Sequence, residues 1–221
     1  MEGKNDLNNV SAAKLTASIF GILSGLGGLT HGVGETLQGN VSPDGTIINS
    51  WTQGPIAAYM DGDPGMTIVP NLLITGILTI IVSLTLIVWS VAFVHRKNGG
   101  MIQICLSTAM LLVGGGFGPP TIGVLAGVAG LGINSRHIWW RTHLSVNIRS
   151  TLARLFPWVF GVCVINGVFL VIGSLILVYL FAFNNPDLFV NSFFFAVSSL
   201  LLSIITGIAY DIQNSALDVA V

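Results

Sequence analysis

Charged side chains are scarce in this sequence. Eight Lys and Arg and nine Asp and Glu make up 8% of the 221 residues, against about 25% in an ordinary soluble domain. This deficit, with 52% hydrophobic residues, excludes an ordinary soluble globule and predicts an integral membrane protein. The net charge of −1 gives no reason to expect a nucleic-acid partner, so the expected surroundings are the lipid bilayer.

Several chemical signatures are also missing. The two cysteines, Cys105 and Cys163, both lie in apolar segments, where cysteine behaves as a small hydrophobe, so they say nothing about the redox compartment. There is no nucleophile elbow, phosphate-binding loop, zincin pattern or pair of catalytic carboxylates. No enzyme activity is therefore predicted, and no cofactor or metal is indicated.

What the sequence does contain is a series of apolar segments long enough to enter a bilayer. They predict one transmembrane domain over residues 1–221, an all-α polytopic bundle of about six membrane elements. A polar outer loop is expected at 39–67. The predicted elements are 14–38, 70–94, 101–115, 119–133, 157–181 and 190–210.

The apolar stretch 101–133 cannot form one straight helix. Its centre is rich in glycine and proline, and a proline removes a backbone donor and displaces the residue before it from the α region. We therefore expect two short elements, either two thin spans or a re-entrant hairpin, whose freed backbone groups face protein or water. The residues of this break, a candidate pore constriction or simply a tight turn, are Gly114, Gly115, Gly116, Gly118, Pro119 and Pro120.

The distribution of charge predicts an orientation. With the six elements above, every Lys and Arg lies on one side, which the positive-inside rule assigns to the cytoplasm together with both termini. The segment 135–156 combines Arg149 and Arg154 with apolar positions at helical spacing, which predicts an amphipathic helix on the cytoplasmic surface. The expected location is the plasma membrane. The cationic residues are Lys4, Lys14, Arg96, Lys97, Arg136, Arg141, Arg149 and Arg154.

The first apolar helix carries a stripe of small residues and two ionisable groups. Small residues recur in steps of three and four from Ser18 to Gly32, a pattern that lets membrane helices approach closely. His31 and Glu35 lie four residues apart, with Gln38 one turn further. Such a cluster can share a proton or hold a divalent cation, or it can simply anchor the helix end to the loop.

Three further polar features have simpler explanations. Gln103 and Asn166 lie within predicted membrane elements, where a single amide usually makes an interhelical hydrogen bond rather than a substrate contact. The segment 61–65 begins like a calcium-binding loop but lacks the later oxygen ligands, so it predicts a turn.

These features favour transport of a small solute or ion, with His31 and Glu35 at the entrance of the pathway and the helix break further along it. One alternative is a non-catalytic subunit that binds other membrane helices, or a second copy of itself, through its Gly and Ser stripes. An intramembrane enzyme with a metal or cofactor is a third alternative.

Overall fold

A computed structural model describes residues 11–135 and 137–217, which leaves Lys4 and Arg136 outside the described residues. The architecture is all-α with one small hairpin of strands. Its elements are α1 (Ala12–Gln38), β1 (Ile47–Asn49), α2 (Gly54–Tyr59), β2 (Pro64–Met66), α3 (Leu72–Ala92), α4 (Gly99–Leu112), α5 (Gly118–Leu131), α6 (Ile138–His143), α7 (Val146–Val168), a π-helical turn (Phe169–Gly173), α8 (Ser174–Phe181) and α9 (Pro186–Leu217).

Within the described part of the chain, four helical stretches are long and apolar enough to cross a membrane. They are Ala12–Gln38, Leu72–Ala92, Val146–Phe181 and Pro186–Ser215. The helices α4 and α5 have 14 residues each, about 21 Å at 1.5 Å per residue, which is short for a full crossing. The structure therefore supports an all-α membrane protein with four candidate spans rather than six.

Helix α1 is the centre of the fold and packs against α3 on one side and α5 on another. Its glycines make this packing possible: a Cβ added at Gly32 would lie 3.0 Å from the Gly76 carbonyl oxygen of α3. A Cβ at Gly27 would lie 2.8 Å from the Pro119 side chain of α5. The predicted stripe of small residues is thus buried inside the chain, where backbones meet.

The helices α4 and α5 form a hairpin beside α1. At its open end, a Cβ added at Gly100 of α4 would lie 2.5 Å from the Gly127 carbonyl oxygen of α5. Gly130 of the same open end lies near Ala17, close to the start of α1. The tip of the hairpin, Gly114, lies instead against Glu35, near the end of α1. The hairpin therefore begins and ends at the same end of the bundle.

The region after α5 differs from the predicted surface helix at 135–156 followed by a span starting at Pro157. The structure has a short α6 and then α7, which begins at Val146 with Ser145 as its N-cap and includes Pro157 in its interior. The predicted start at Pro157 is wrong, because a proline within an apolar membrane helix is tolerated where neighbouring groups satisfy the freed backbone. Helix α7 continues through the π-helical turn into α8.

Helices α7 and α9 form a second layer, joined by aromatic contacts such as Phe156 with Tyr210, whose ring centroids are 5.1 Å apart. The end of α9 returns to the start of α1. There the Asp211 carboxylate accepts hydrogen bonds from the Ala12 and Ala13 backbone N–H groups at 2.6 and 3.1 Å. A carboxylate at this position satisfies the free donors of the helix N-terminus.

The loop 39–67 contains regular secondary structure, namely the short helix α2 and the strands β1 and β2. Strands β1 and β2 pair antiparallel, with Ile48 opposite Gly65. The chain just beyond β2 then reaches the hairpin tip, where the Ile68 N–H donates to the Leu112 carbonyl at 3.0 Å. The loop is thus fastened over the tip of the α4–α5 hairpin and the end of α1.

Candidate polar site at the helix break

The His31 and Glu35 pair lies next to the glycine break in the structure. In the sequence, Glu35 and Gly114 are 79 residues apart. A Cβ added at Gly114 would lie 2.4 Å from the nearer Glu35 carboxyl oxygen, and one added at Gly116 would lie 2.2 Å from His31 Nε2. Only a chain without side chains at these two positions can pass so close to both groups. The tight turn and the polar cluster are therefore parts of one site.

The glycines of the break are required by backbone conformation as well as by space. Gly114 has φ of 111° and Gly116 has φ of 76°, values that L-residues with side chains rarely adopt. The Gly116 N–H donates to the Gly114 carbonyl at 2.7 Å, which closes a very tight turn. Gly118, Pro119 and Pro120 then form the first turn of α5, where proline is favoured, and Gly115 packs against Met110.

A chain of hydrogen bonds runs through the site. Asp63 Oδ2 lies 3.1 Å from His31 Nε2, and His31 Nδ1 lies 2.8 Å from Ser50 Oγ. The Ser50 hydroxyl in turn donates to Glu35 Oε1 at 3.1 Å. Two carboxyl groups are thus connected through an imidazole and a hydroxyl, all within hydrogen-bonding distance.

The two ends of this chain differ in their access to solvent. The Asp63 side chain is 31% exposed, whereas Glu35 and Ser50 are 0% exposed. The chain therefore connects a carboxyl group at the surface of the loop with a carboxyl group sealed between α1, α3 and the hairpin tip. A buried polar group is costly unless it is hydrogen-bonded, and each member of this chain has a partner.

Thr79 completes the environment of Glu35 from the side of α3. Its hydroxyl lies 3.3 Å from Glu35 Oε2 and also bonds the Val113 carbonyl at the break. Because the Thr79 hydroxyl contacts both the Glu35 carboxyl group and the Val113 carbonyl, a change in the hydrogen bonding of Glu35 alters the hydrogen bonding of the backbone at the turn. The threonine therefore couples the carboxyl group to the helix break.

Gln38 contacts the loop, as in the second of the two roles that its spacing allowed. Its side-chain amide donates to the Asn49 and Ser50 carbonyls at 3.0 and 2.9 Å. It fastens β1 and the following residue to the end of α1, and so fixes the position of Ser50 rather than joining the chain itself.

The two amides within the membrane elements lie away from this site and bond to neighbouring helices. The Gln103 amide donates to the Ala17 carbonyl at 3.0 Å, and the Asn166 amide donates to the Ser192 carbonyl at 2.9 Å. Each bond connects two helices, α4 with α1 and α7 with α9.

Buried polar residues also follow Thr79 along the interior of the bundle, and we call this set, from Glu35 to Gln103, the polar column. Beyond Thr79 its members do not form a continuous chain of hydrogen bonds. Ser83 and Ser90 lie one and about three turns further along α3, both fully buried. Ser83 bonds the Met110 sulfur, and Ser90 bonds the Leu86 carbonyl of its own helix. The connected part of the column therefore ends at Thr79 and the hairpin tip.

Comparison with protein-family models, with curated proteins and with solved structures gave no match to this chain. Among the described residues, no group of three or more His, Cys, Asp or Glu side chains is arranged to hold a metal ion. The hydrogen-bonded chain of Asp63, His31, Ser50 and Glu35 is of a kind that can exchange protons between its oxygen and nitrogen atoms.

Sequence reasoning missed Ser50, Asp63 and Thr79. Ser50 and Asp63 belong to a loop whose fold over α1 has no local signature, and the sequence around Asp63 predicts only a turn. Thr79 offered a weak signal, because Thr75, Thr79 and Ser83 follow one face of α3 at steps of four residues. Polar residues repeating at that spacing in an apolar helix indicate a face directed into a bundle.

Proposed function

We propose that this protein is a membrane transporter of a small ion, and that Glu35 binds and releases the proton that is carried or coupled. The observation that supports this proposal is the hydrogen-bonded chain from the partly exposed Asp63 through His31 and Ser50 to the buried Glu35. Ionisable groups at membrane depth commonly belong to ion pathways and proton relays.

The chain can hold its protons in two arrangements that need no movement of heavy atoms. In one, the Glu35 O–H donates to Ser50, the Ser50 O–H donates to His31 Nδ1, and His31 Nε2–H donates to ionised Asp63. In the other, each bond is reversed, so that Asp63 carries the proton and the Ser50 O–H donates to ionised Glu35. Both arrangements hold the same number of protons, and the change between them moves one proton between the surface and the interior.

Release to the other side requires a second conformation, because the connected chain ends at Thr79. The hairpin tip is the element that would move. The Gly114–Gly116 turn lies directly on Glu35 and His31, and its backbone is held to the loop by the Ile68 bond to Leu112. In this proposal α4 and α5 act as a re-entrant gate, the termini lie in the cytoplasm and the membrane is the plasma membrane.

The proposal is tested by proton flux into liposomes that contain the purified protein and a pH-sensitive dye, under an imposed potential. We expect Glu35→Gln to lower the flux at least tenfold, because an amide keeps the shape and the Ser50 contact but cannot release a proton. The folded yield should stay at the wild-type level. Wild-type flux in Glu35→Gln would contradict a role for this carboxyl group.

A structural clamp is the competing function, and one observation favours it: the cluster is sealed, with Glu35 and Ser50 fully buried. In that case the chain only fastens the outer loop to the helix break. Wild-type liposomes would then show no flux above protein-free liposomes, and Glu35→Ala would lower the folded yield.

The alternative of a scaffold that binds partner helices through small-residue stripes gains little support from the structure. The α1 stripe faces α3 and α4 at Gly21 and Gly28. A second stripe of small and polar residues at steps of three and four in α9 is buried at Ala196 and Thr206. Both stripes are therefore largely occupied by helices of the same chain.

A further inference from the structure

A cavity of about 370 Å³ lies at the end of the bundle opposite the polar site. It is bounded by the first turns of α1, the end of α5, the short helix α6 and the later part of α9, with Thr16, His137, Trp139 and Ser203 among its lining residues. Its size is within the range of small-molecule sites, about 300–1,000 Å³.

Two hydroxyl groups at the inner wall of this cavity have no hydrogen-bond partner. Thr16 of α1 is 1% exposed and Ser203 of α9 is 0% exposed, and neither hydroxyl is bonded within the described part of the chain. A buried polar group without a partner is costly. Each side chain can rotate about its Cα–Cβ bond toward an acceptor that enters the cavity.

The rim of the cavity is apolar and exposed. Val128 and Leu131 of α5 and Ile138 and Trp139 of α6 line it, and all four are exposed. In a chain that spans a bilayer, such a rim faces lipid. Trp139 and its neighbour Trp140, which also lines the cavity, are residue types that favour the membrane–water interface.

The depth of Thr16 fits the polar end of a lipid rather than its tail. Thr16 lies about one turn inside the start of α1 at Ala12, and α6 borders the same end of the cavity. Ser203 lies deeper, eight residues before the Asp211 cap of Ala12, which is about 12 Å along α9. A hydrogen-bond donor one turn from the helix start and a second one deeper in the same apolar hollow match the two ester carbonyls of a lipid that enters the cavity.

We propose that this cavity binds a diacyl glycerophospholipid of the adjacent leaflet, with its ester carbonyls accepting hydrogen bonds from Thr16 and Ser203 and one acyl chain filling the apolar part. The site is separate from the Asp63–Glu35 chain and does not depend on the transport proposal. It gives the junction between α1, α5 and α9 a lipid as a structural component.

The test compares two phosphatidylcholines that differ only in their linkage. Full-length protein is stripped of lipid in detergent and titrated with the ester-linked or the ether-linked form, and bound lipid is counted by native mass spectrometry. Because the ether lacks the carbonyl acceptors, we expect the wild-type protein to bind the ester about tenfold more tightly. This preference should disappear in the double variant Thr16→Val, Ser203→Ala.

The double variant Ser199→Ala, Thr206→Val is a matched control. Its two hydroxyls are also buried in α9, but they already bond the Ala196 and Leu202 carbonyls, so the ester preference should remain. A second variant, Ser203→Leu, should fill the cavity and weaken both lipids. Equal binding of ester and ether by the wild type, or an ester preference that survives in Thr16→Val, Ser203→Ala, would overturn the proposal.

Discussion

The helices within each of the two layers of this molecule pack against one another in different ways. In the group α1, α3, α4 and α5, backbones meet at glycines such as Gly32, Gly76 and Gly100. Between α7 and α9 the contacts are made by side chains, among them Phe156 and Tyr210. The first group is also where polar residues are buried in a column from Glu35 to Gln103.

This difference shows what a buried polar chain needs in a membrane protein. A hydroxyl or a carboxyl group in an apolar interior must find a partner nearby, and a glycine contact brings the partner's helix close enough. At Gly114 and Gly116 the backbone itself closes the space around Glu35 and His31. The α7–α9 layer has few such contacts and carries more lipid-facing side chains.

The largest expected effect comes from adding one methyl group to the glycine-packed group. In Gly100→Ala the new Cβ would lie 2.4 Å from the Leu131 nitrogen, a backbone atom that cannot move aside, so we expect a loss of about 3 kcal/mol in the free energy of unfolding. Gly161→Ala in α7 is the matched control, because nothing lies within 4 Å of its added Cβ. Denaturation in detergent measures the free energy of unfolding of both variants. Equal stability of the two variants would contradict the difference in packing between the two layers.

A smaller effect is expected from removing one hydroxyl of the polar column. Thr79→Val leaves the Glu35 carboxyl and the Val113 carbonyl each without one partner, which should cost about 2 kcal/mol. Thr85→Val is the control, because the exposed Thr85 hydroxyl bonds only the Ile81 carbonyl of its own helix. A loss in Thr85→Val as large as that in Thr79→Val would show that the column has no special role.

The contact between the two layers at the start of α1 should be worth less. Asp211→Asn removes the negative charge and replaces one of the two accepting oxygens by an NH2 group, so one of the Ala12 and Ala13 N–H groups loses its acceptor. We expect a loss of about 1 kcal/mol. The thermal midpoint in detergent should fall in this variant and stay constant in Asp44→Asn, because Asp44 is an exposed carboxylate of the loop 39–67. An unchanged midpoint in Asp211→Asn would mean that the charge does not stabilise the junction.

The smallest expected effect is a dependence of stability on pH that arises from His137, which lines the cavity between α1, α5, α6 and α9. Burial lowers the pKa of His137 below its usual value of 6.5, and Arg141 acts in the same direction, while Asp211 and the Gly132 backbone oppose it. As the pH drops below 6.5, His137 is protonated in the unfolded chain but stays neutral in the folded chain. The free energy of unfolding therefore decreases as the pH drops below 6.5.

This contribution should vanish in His137→Gln and persist in His143→Gln. The measurement is the shift of the thermal midpoint between about pH 7.5 and about pH 5.5. If the wild type and His137→Gln shift equally, His137 contributes nothing to the pH dependence.

The sequence allowed the central part of the fold to be predicted because local signals were strong there. The glycine stripe, the break at residues 114–120 and the apolar segments each follow from spacing or backbone chemistry that one stretch of chain displays by itself. The length of α7 was not predictable in this way, since Pro157 looks the same at a helix start and inside a helix whose surroundings tolerate it.

Half of the candidate site could not be found from the sequence for a related reason. His31 and Glu35 stand out because ionisable groups are rare in apolar helices. Ser50 and Asp63 are ordinary residues of a polar loop, and their position depends on β1 and β2 pairing and on the Ile68 bond to Leu112. Contacts between distant segments leave no pattern in either segment alone.

The most direct test of the central claim compares two aspartates of the loop 39–67 in the liposome proton-flux assay. Asp63 and Asp61 both have positive φ, 54° and 55°, which asparagine tolerates, and only Asp63 bonds His31. If the Asp63–His31–Ser50–Glu35 chain carries protons, Asp63→Asn lowers the flux several-fold and Asp61→Asn leaves it unchanged. Equal flux in the two variants would contradict the claim.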